Sequence, residues 1–439
     1  MTTLQERVHG TPRPEGWLLG KLHHALKVCK GNKNTGMKEN NLLSLSYGRI
    51  IEKDIDTAEG LLPESFETYQ VVEPGNIVMR LTDLQNDKRS LRQGLVNHRG
   101  IITSAYDALE VGKDHDPRFW AYALLALDLA KYYYSLGGGV RQSIKFADFP
   151  NDWIAHPDLE TQKAIADFLD RETGRIDQLM EKKRRLAELL KEKRAALISH
   201  AVTKGLDPNA KMKPSGIEWL GDMPKHWGLL RAKYIFRIKK RIVGELGHDV
   251  LSVTQKGLKV KDTESGEGQL SMDYSKYQKV EVGDFVMNHM DLLTGWVDRA
   301  TSQGVTSPDY RVFSLVNNSN DPEYFLALLQ VGYSHKLFYA YGQGVSQLGR
   351  WRFSADAFNS FIYPAPPRLE QQAITLFLNK EKKRAIPLIE KISYSVEKLK
   401  EFRSSIITAA VTGQIDVTTW GKRGDTDRRL DAIEEEMGA

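Results

Sequence analysis

The chain has 439 residues, 41 % of them hydrophobic and 27 % charged, with a formal net charge of +5 and a sequence pI near 8.9. That length suggests two to four domains with packed cores, and no apolar run approaches the ~18 residues that a membrane helix needs. A single cysteine, Cys29, excludes an internal disulfide and any multi-cysteine metal site. The N-terminal MTTLQERVHG lacks the apolar core of a secretory signal, so a cytoplasmic chain is expected. Mild basicity is compatible with nucleic-acid binding and does not establish it.

The predicted elements fall into two similar series. Residues 17–155 alternate short β-type runs (Asn41–Leu45, Tyr69–Val72, Asn76–Leu81, Gly100–Ala105) with Gly, Asn and Asp breaks. A helix over Pro117–Leu136, apolar almost all round, is expected to be buried against the sheet and to stop at Gly137-Gly138-Gly139. A long helix follows from Asp158 to Lys204. Its apolar seam is Ile165, Leu169, Ile176, Leu179, Leu186, Leu190 and Leu197, with Glu172, Lys183 and Lys193 at the other seam places. Residues 208–224, with Pro208, Pro214, Gly216, Gly221 and Pro224, read as a linker.

Strands are then predicted at Val250–Thr254, Tyr277–Val280 and Phe285–Met287, and a helix near Pro322–Tyr341 stopped by Gly342 and Gly344. A second long helix carries the seam Ile374, Leu378, Ala385, Leu388, Ile392, Leu399, Phe402, Ile406. Gly174 and Pro387 predict a kink or restart in each long helix. The stretch Thr418–Ala439 reads as a polar, solvated tail.

The two series share wording. YQVVEPGNIVMR at 69–80 returns as YQKVEVGDFVMN at 277–288. Leu43–Ser46 returns as Leu251–Thr254, Gly139–Gln142 as Gly344–Gln347, and Ala201-Val202-Thr203 with Asp207 as Ala410-Val411-Thr412 with Asp416. Offsets stay near half the chain length, so one unit occurs twice and its function is paired. The expected fold class is α+β: two strand-rich domains in a pseudo-twofold tandem repeat, separated by two long antiparallel coiled-coil helices. The expected boundaries are 1–157 (first domain), 158–207 (first helix), 208–365 (linker and second domain), 366–417 (second helix) and 418–439 (tail).

Catalytic signals are absent. There is no GxxxxGK[ST] loop, no Asn-Pro-Pro-aromatic segment, no HExxH and no cysteine-pair metal spacing. Glu181-Lys182-Lys183 and Glu381-Lys382-Lys383 match a nuclease-like Asp/Glu-x-Lys pattern but lie in charged helical stretches, where a solvated face is the simpler reading. His23-His24 reads as surface or cap. No catalytic residue and no metal ligand is assigned.

Each long helix opens with related wording: His156-Pro157-Asp158-Leu159-Glu160-Thr161-Gln162 and Pro366-Pro367-Arg368-Leu369-Glu370-Gln371-Gln372. With the helix endings and Pro214-Ser215-Gly216-Ile217-Glu218-Trp219-Leu220-Gly221, this ordered set resembles the specificity subunit of type I restriction–modification systems, over about residues 14–418. The first opening departs from the pattern in lacking the double proline. The resemblance implies a non-catalytic subunit in which each domain is a target-recognition head reading one half of an asymmetric, split site in double-stranded DNA. It implies that the helices set the gap and seat two modification (methyltransferase) subunits, with restriction/translocase subunits joining through them. S-adenosylmethionine, ATP and Mg2+ would sit on those partners and none in this chain. The geometry is compatible: ~40 helical residues span ~60 Å, enough to hold two heads about one DNA turn (~34 Å) apart.

Candidate DNA contacts are Arg141, Gln142, Ser143 and Lys145 after the first Gly stop, and Ser346, Gln347, Arg350 and Arg352 after the second. Arg can grip guanine and Gln adenine, whereas Lys and Ser more often take phosphate. Further candidates are Arg80, Lys88, Arg89 and Arg92 in the first head and His289, Arg299 and Arg311 in the second. Lys239-Lys240-Arg241, Lys256, Lys259 and Lys261 could track phosphates. The helix and subunit interface is assigned to Leu169, Ile176, Leu179, Leu186, Leu190, Leu197, Leu378, Leu388, Ile392, Leu399, Phe402 and Ile406. A stand-alone DNA-binding regulator, a fused restriction enzyme and a protein-only coiled-coil scaffold are the alternative readings.

Overall fold

The computed structural model describes residues 2–55, 65–84, 91–136, 143–261, 274–344, 351–420 and 424–438. The chain forms two units, Met1–Leu186 with Lys391–Ala439, and Ala187–Glu390. Each therefore combines one head, the opening of the long helix that follows it and the closing part of the other long helix.

In the first unit two four-stranded sheets build the head. One runs Leu26–Val28, Asp107–Val111, Ile77–Met79, Gln93–Leu95, all antiparallel. The other runs Arg49–Lys53, Leu42–Ser46, Gly100–Ile102, Gln70–Val72. Leu18–Lys21 pairs with Trp153–His156 and so joins the start of the head to its exit. Gln5 reinforces this exit, because its amide donates to Ala155 O (2.6 Å) and accepts from Ala155 N (3.0 Å).

The second unit repeats the frame. Phe236–Lys239, Arg311–Leu315, Phe285–Met287 and Val297–Arg299 form the matching four-stranded sheet. Gln278–Val280 pairs with Gly304–Thr306, and Gly228–Arg231 with Ile362–Ala365.

The duplicated wording is a set of duplicated hydrogen bonds. Gln70 donates to Thr103 O (3.1 Å) and Tyr106 O (2.7 Å); Gln278 donates to Pro308 O (3.4 Å) and Tyr310 O (2.7 Å). Asn76 Oδ1 accepts the Glu73 N–H and Asp284 Oδ2 the Glu281 N–H, each at 2.9 Å. These turns carry Gly75 and Gly283 at φ +91° and +92°, which side chains seldom adopt. The repeated sentence thus encodes two turn locks and the strand between them.

Each head carries a buried helix, Pro117–Leu129 or Pro322–Ser334, begun by an aspartate cap and a proline. Both stop short of the predicted ends. Lys131 and Lys336 take left-handed backbone (φ +61° and +55°), and a short turn of helix resumes beyond each. The chain breaks there because Tyr132 and Tyr133, and Phe338, turn into the core.

The long helices span Leu159–Lys204 and Arg368–Val411, each unbroken, so the predicted restarts at Gly174 and Pro387 do not occur. Their first turns explain the shared opening. Gln162 donates to Pro157 O (2.8 Å) and accepts from Asp116 N (3.0 Å); Gln371 donates to Pro366 O (2.9 Å) and accepts from Asp321 N (2.7 Å). Each glutamine ties its long helix to the capping aspartate of the head helix.

The heptad seam holds only in part. In the first helix the buried residues include Ile165, Leu169, Glu172, Ile176, Met180 and Lys183, flanked by buried Ala166, Phe168, Thr173 and Ala187. This keeps the predicted phase as far as Ile176 and again at Lys183, with Met180 buried in place of Leu179. Leu179 is half-buried and Leu186 exposed. Leu190, Leu197 and Leu378 are half-buried, and Leu388 is exposed. Ile392, Leu399 and Ile406 are buried as expected, with Phe402 packed beside them. Within the first unit Arg403 bridges to Asp177 (2.9 Å), which also receives Arg49 (3.0 Å).

The tail is not a solvated strand of chain. Asp425–Gly438 is a helix of the first unit, with Ile433 in the core, Glu434 receiving Lys183 (3.2 Å) and Asp427 paired with Arg175. Leu430 and Ile433 give it one apolar face, the feature a reading by composition passes over.

Candidate nucleic-acid interface

In each head the repeated strand ends beside the segment that returns from the predicted DNA-contact loop. Ile144 donates its backbone N–H to Leu81 O (3.0 Å), next to Arg80. Phe353 donates to His289 O (2.8 Å), next to Asn288. Two groups of candidates that lie far apart in sequence are therefore neighbours in both heads.

Ser143 and Lys145 are exposed on the first return segment, and Arg352 on the second. Lys145 precedes a short turn whose Asp148 accepts its N–H (2.7 Å). Trp351-Arg352 pairs antiparallel with Gln343-Gly344, which gives the second loop a two-stranded base. Arg141, Gln142, Ser346, Gln347, Arg350, Lys88 and Arg89 lie outside the described residues.

The second group divides. Arg80 is half-buried and its N–H is held by Arg92 O (2.7 Å). Arg92 is a correction: it is fully buried, donates to Thr82 O (3.1 Å) and Tyr134 Oη (3.2 Å), and packs on the Tyr134 ring. Its charge holds the head together and does not face solvent. His289 is likewise buried, with no partner for Nδ1 among the described residues. Burial first, then the charges of Arg311 and Arg352, push its pKa down to about 3, so it is a neutral core group. Arg299 is partly exposed and is tied to Glu323 (2.7 Å).

Arg311 is buried. It donates to Phe353 O (2.7 Å) and lies over the Phe358 ring (4.9 Å), while Nη1 finds no partner among the described residues. Desolvation lowers its pKa to about 10, so it stays charged. Arg241 is paired with Glu281 and Asp284, whereas Lys240, Lys256 and Lys259 are exposed. Among the described residues no cluster of His, Cys, Asp or Glu could hold a metal, and no helix is long and apolar enough to cross a membrane.

No protein-family profile matches the sequence, and no curated protein matches it. Solved structures do. A chain from work on complex assembly and conformational transition of the type I R-M system aligns with a TM-score of 0.60 at 14 % identity, over 92 % of this chain and all of that one. The fold is shared with that chain. The HsdS subunit from Thermoanaerobacter tengcongensis aligns at TM-score 0.49 and 14 % identity, covering 94 % of this chain and all of that one. The S subunit of the type I system from M. genitalium aligns at 0.37 and 12 %, covering 90 % and 96 %. At 14 % identity the likeness to the first of these is one of fold, and it extends over most of the chain.

Sequence reasoning missed Asp107, whose carboxylate accepts the Phe146 N–H (2.7 Å). Nothing local marks it; its role is visible only because strand register places it opposite Met79, as Arg311 lies opposite Met287.

Proposed function

We propose that this chain is the specificity subunit of a type I restriction–modification complex, reading an asymmetric, two-part DNA site. The observation that carries the reading is the contrast within the repeat. The locks made by Gln70 and Gln278, Asn76 and Asp284, and Gln162 and Gln371 occur in both heads, while the residues presented on the return segments differ. One scaffold held rigid twice, with unlike reading edges, suits one duplex read at two unlike half-sites. The fold shared with the type I R-M chain supports the same conclusion.

The long helices would set the gap between half-sites and seat two modification subunits, through which restriction subunits join. S-adenosylmethionine, ATP and Mg2+ would belong to those partners, and this chain would position chemistry without performing it. A protein-only scaffold has no use for two rigid heads with exposed cations on matched return segments. The test is a map of modified bases in cells carrying the chain with its modification subunits. Replacing residues 1–157 by another head should change one half-site alone.

A further inference from the structure

We propose that Asp107 and Arg311 are positioning residues of opposite polarity, which fix how Lys145 in the first head and Arg352 in the second are presented to DNA. This rests on the DNA-reading role proposed above. The two residues hold one register position in the two heads. Asp107 faces Met79 and Arg311 faces Met287 on the equivalent strand. Each reaches the segment returning from the candidate loop, within two residues of the backbone bond that joins it to the end of the repeated strand.

The chemistry differs because the side chains differ. An ionised carboxylate can only accept, and a guanidinium can only donate. Asp107 therefore takes a backbone N–H, that of Phe146, at 2.7 Å. Arg311 takes a backbone C=O, that of Phe353, at 2.7 Å. Ile144 and Phe353 are the matched residues, since their N–H groups bind the matched carbonyls of Leu81 and His289. In the first head the span from Ile144 N to Phe146 N is tied at both ends, and exposed Lys145 lies between. In the second head Phe353 is tied at both its N–H and its C=O, and exposed Arg352 precedes it. The presented cation thus follows the matched residue in one head and precedes it in the other.

The Arg311 arrangement is costly as mere structure. Arg311 is 6 % exposed, pairs with no carboxylate among the described residues, leaves Nη1 unpartnered among them and faces the like charge of Arg352. An apolar residue of similar length would pack against Phe353 and Phe358 without that desolvation. A buried cation with no carboxylate partner among the described residues, at the base of a reading segment, points to positioning.

The test selects binding sites from a pool of duplexes with randomised sequence, using the full chain with its modification subunits. Discrimination against a wrong base is scored separately for each half-site. Asp107→Leu should lower discrimination about tenfold in the first half-site and leave the second unchanged; Arg311→Met should do the reverse. Asp107→Asn, which keeps an acceptor oxygen, should retain most of the selectivity. Arg311→Lys, which keeps a single donor, should lose part of it and serves if Arg311→Met does not fold. An equal fall in both half-sites, or unchanged discrimination in the head altered, overturns the proposal. Equal losses for Asp107→Asn and Asp107→Leu overturn its acceptor logic. A wild-type chain that selects no two-part site overturns the DNA-reading role itself, and the proposal with it.

Discussion

Replacing Gln162 by alanine should loosen the first head from its long helix, and more strongly than Gln371→Ala loosens the second. Both glutamines are buried and make the same pair of bonds. The groups they would leave behind differ. Asp116 is itself buried, so its N–H and Pro157 O would both lose their partner out of reach of water. At about 1–3 kcal/mol for each of the two orphaned buried groups, Gln162→Ala should cost about 2–6 kcal/mol. Asp321 is only half-buried, so water can take over its N–H, and Gln371→Ala should cost about 1–3 kcal/mol. Hydrogen–deuterium exchange read by mass spectrometry resolves the two sites, in peptides spanning residues 114–120 and 319–325. Since 1.4 kcal/mol is about tenfold in an equilibrium constant, the first peptide should exchange roughly 30-fold faster or more, and the second by a smaller factor. Unchanged exchange around Asp116, or an equal effect at both sites, would refute the reasoning.

Two further outcomes are expected. His289 stays neutral in the fold down to a pKa of about 3, whereas the unfolded chain protonates it near 6.5. The unfolded state then binds more protons between these values, so stability falls as pH drops through that window, by a few kcal/mol. His289→Leu, which installs the residue type of Leu81, should flatten that part of the curve in paired pH-dependent unfolding measurements. Ile433→Ala should destabilise the first unit by about 2–4 kcal/mol, because Ile433 is 1 % exposed in the core. Denaturant unfolding followed through Trp420, which packs on Phe168, reports it, and a loss under about 0.5 kcal/mol would mean the tail helix is not docked.

Most of the frame was legible because it is built from local, repeated chemistry. Aspartate-proline helix starts, the Glu-x-Gly turns and the strand cores at Ile77–Met79 and Phe285–Met287 each follow from a few adjacent residues. The glutamine locks were visible as wording but not as bonds, since apart from Pro157 and Pro366 their partners lie 30 to 50 residues away. The seam fails in its second half, where Met180 is buried in place of Leu179 and Leu186 is exposed, while Glu172 and Lys183 are buried at their expected seam places. Glu172 tolerates this through Arg171 (2.7 Å) and Arg175 (3.2 Å). Arg92, Arg311 and His289 were assigned to the surface by residue type, and only tertiary register reveals them as core groups. The tail helix escaped notice because two apolar residues among acids carry little signal until a receiving surface exists.

The central claim is that one chain carries two independent readers of unlike half-sites. The measurement that tests it most directly is a base-resolution methylation map of cells expressing the modification subunits with this chain, with the chain deleted, and with residues 1–157 exchanged for another head. The account predicts a two-part asymmetric motif with a fixed gap that vanishes on deletion, and one altered half-site on exchange. A motif that persists without the chain, or an exchange that rewrites both half-sites, would contradict it.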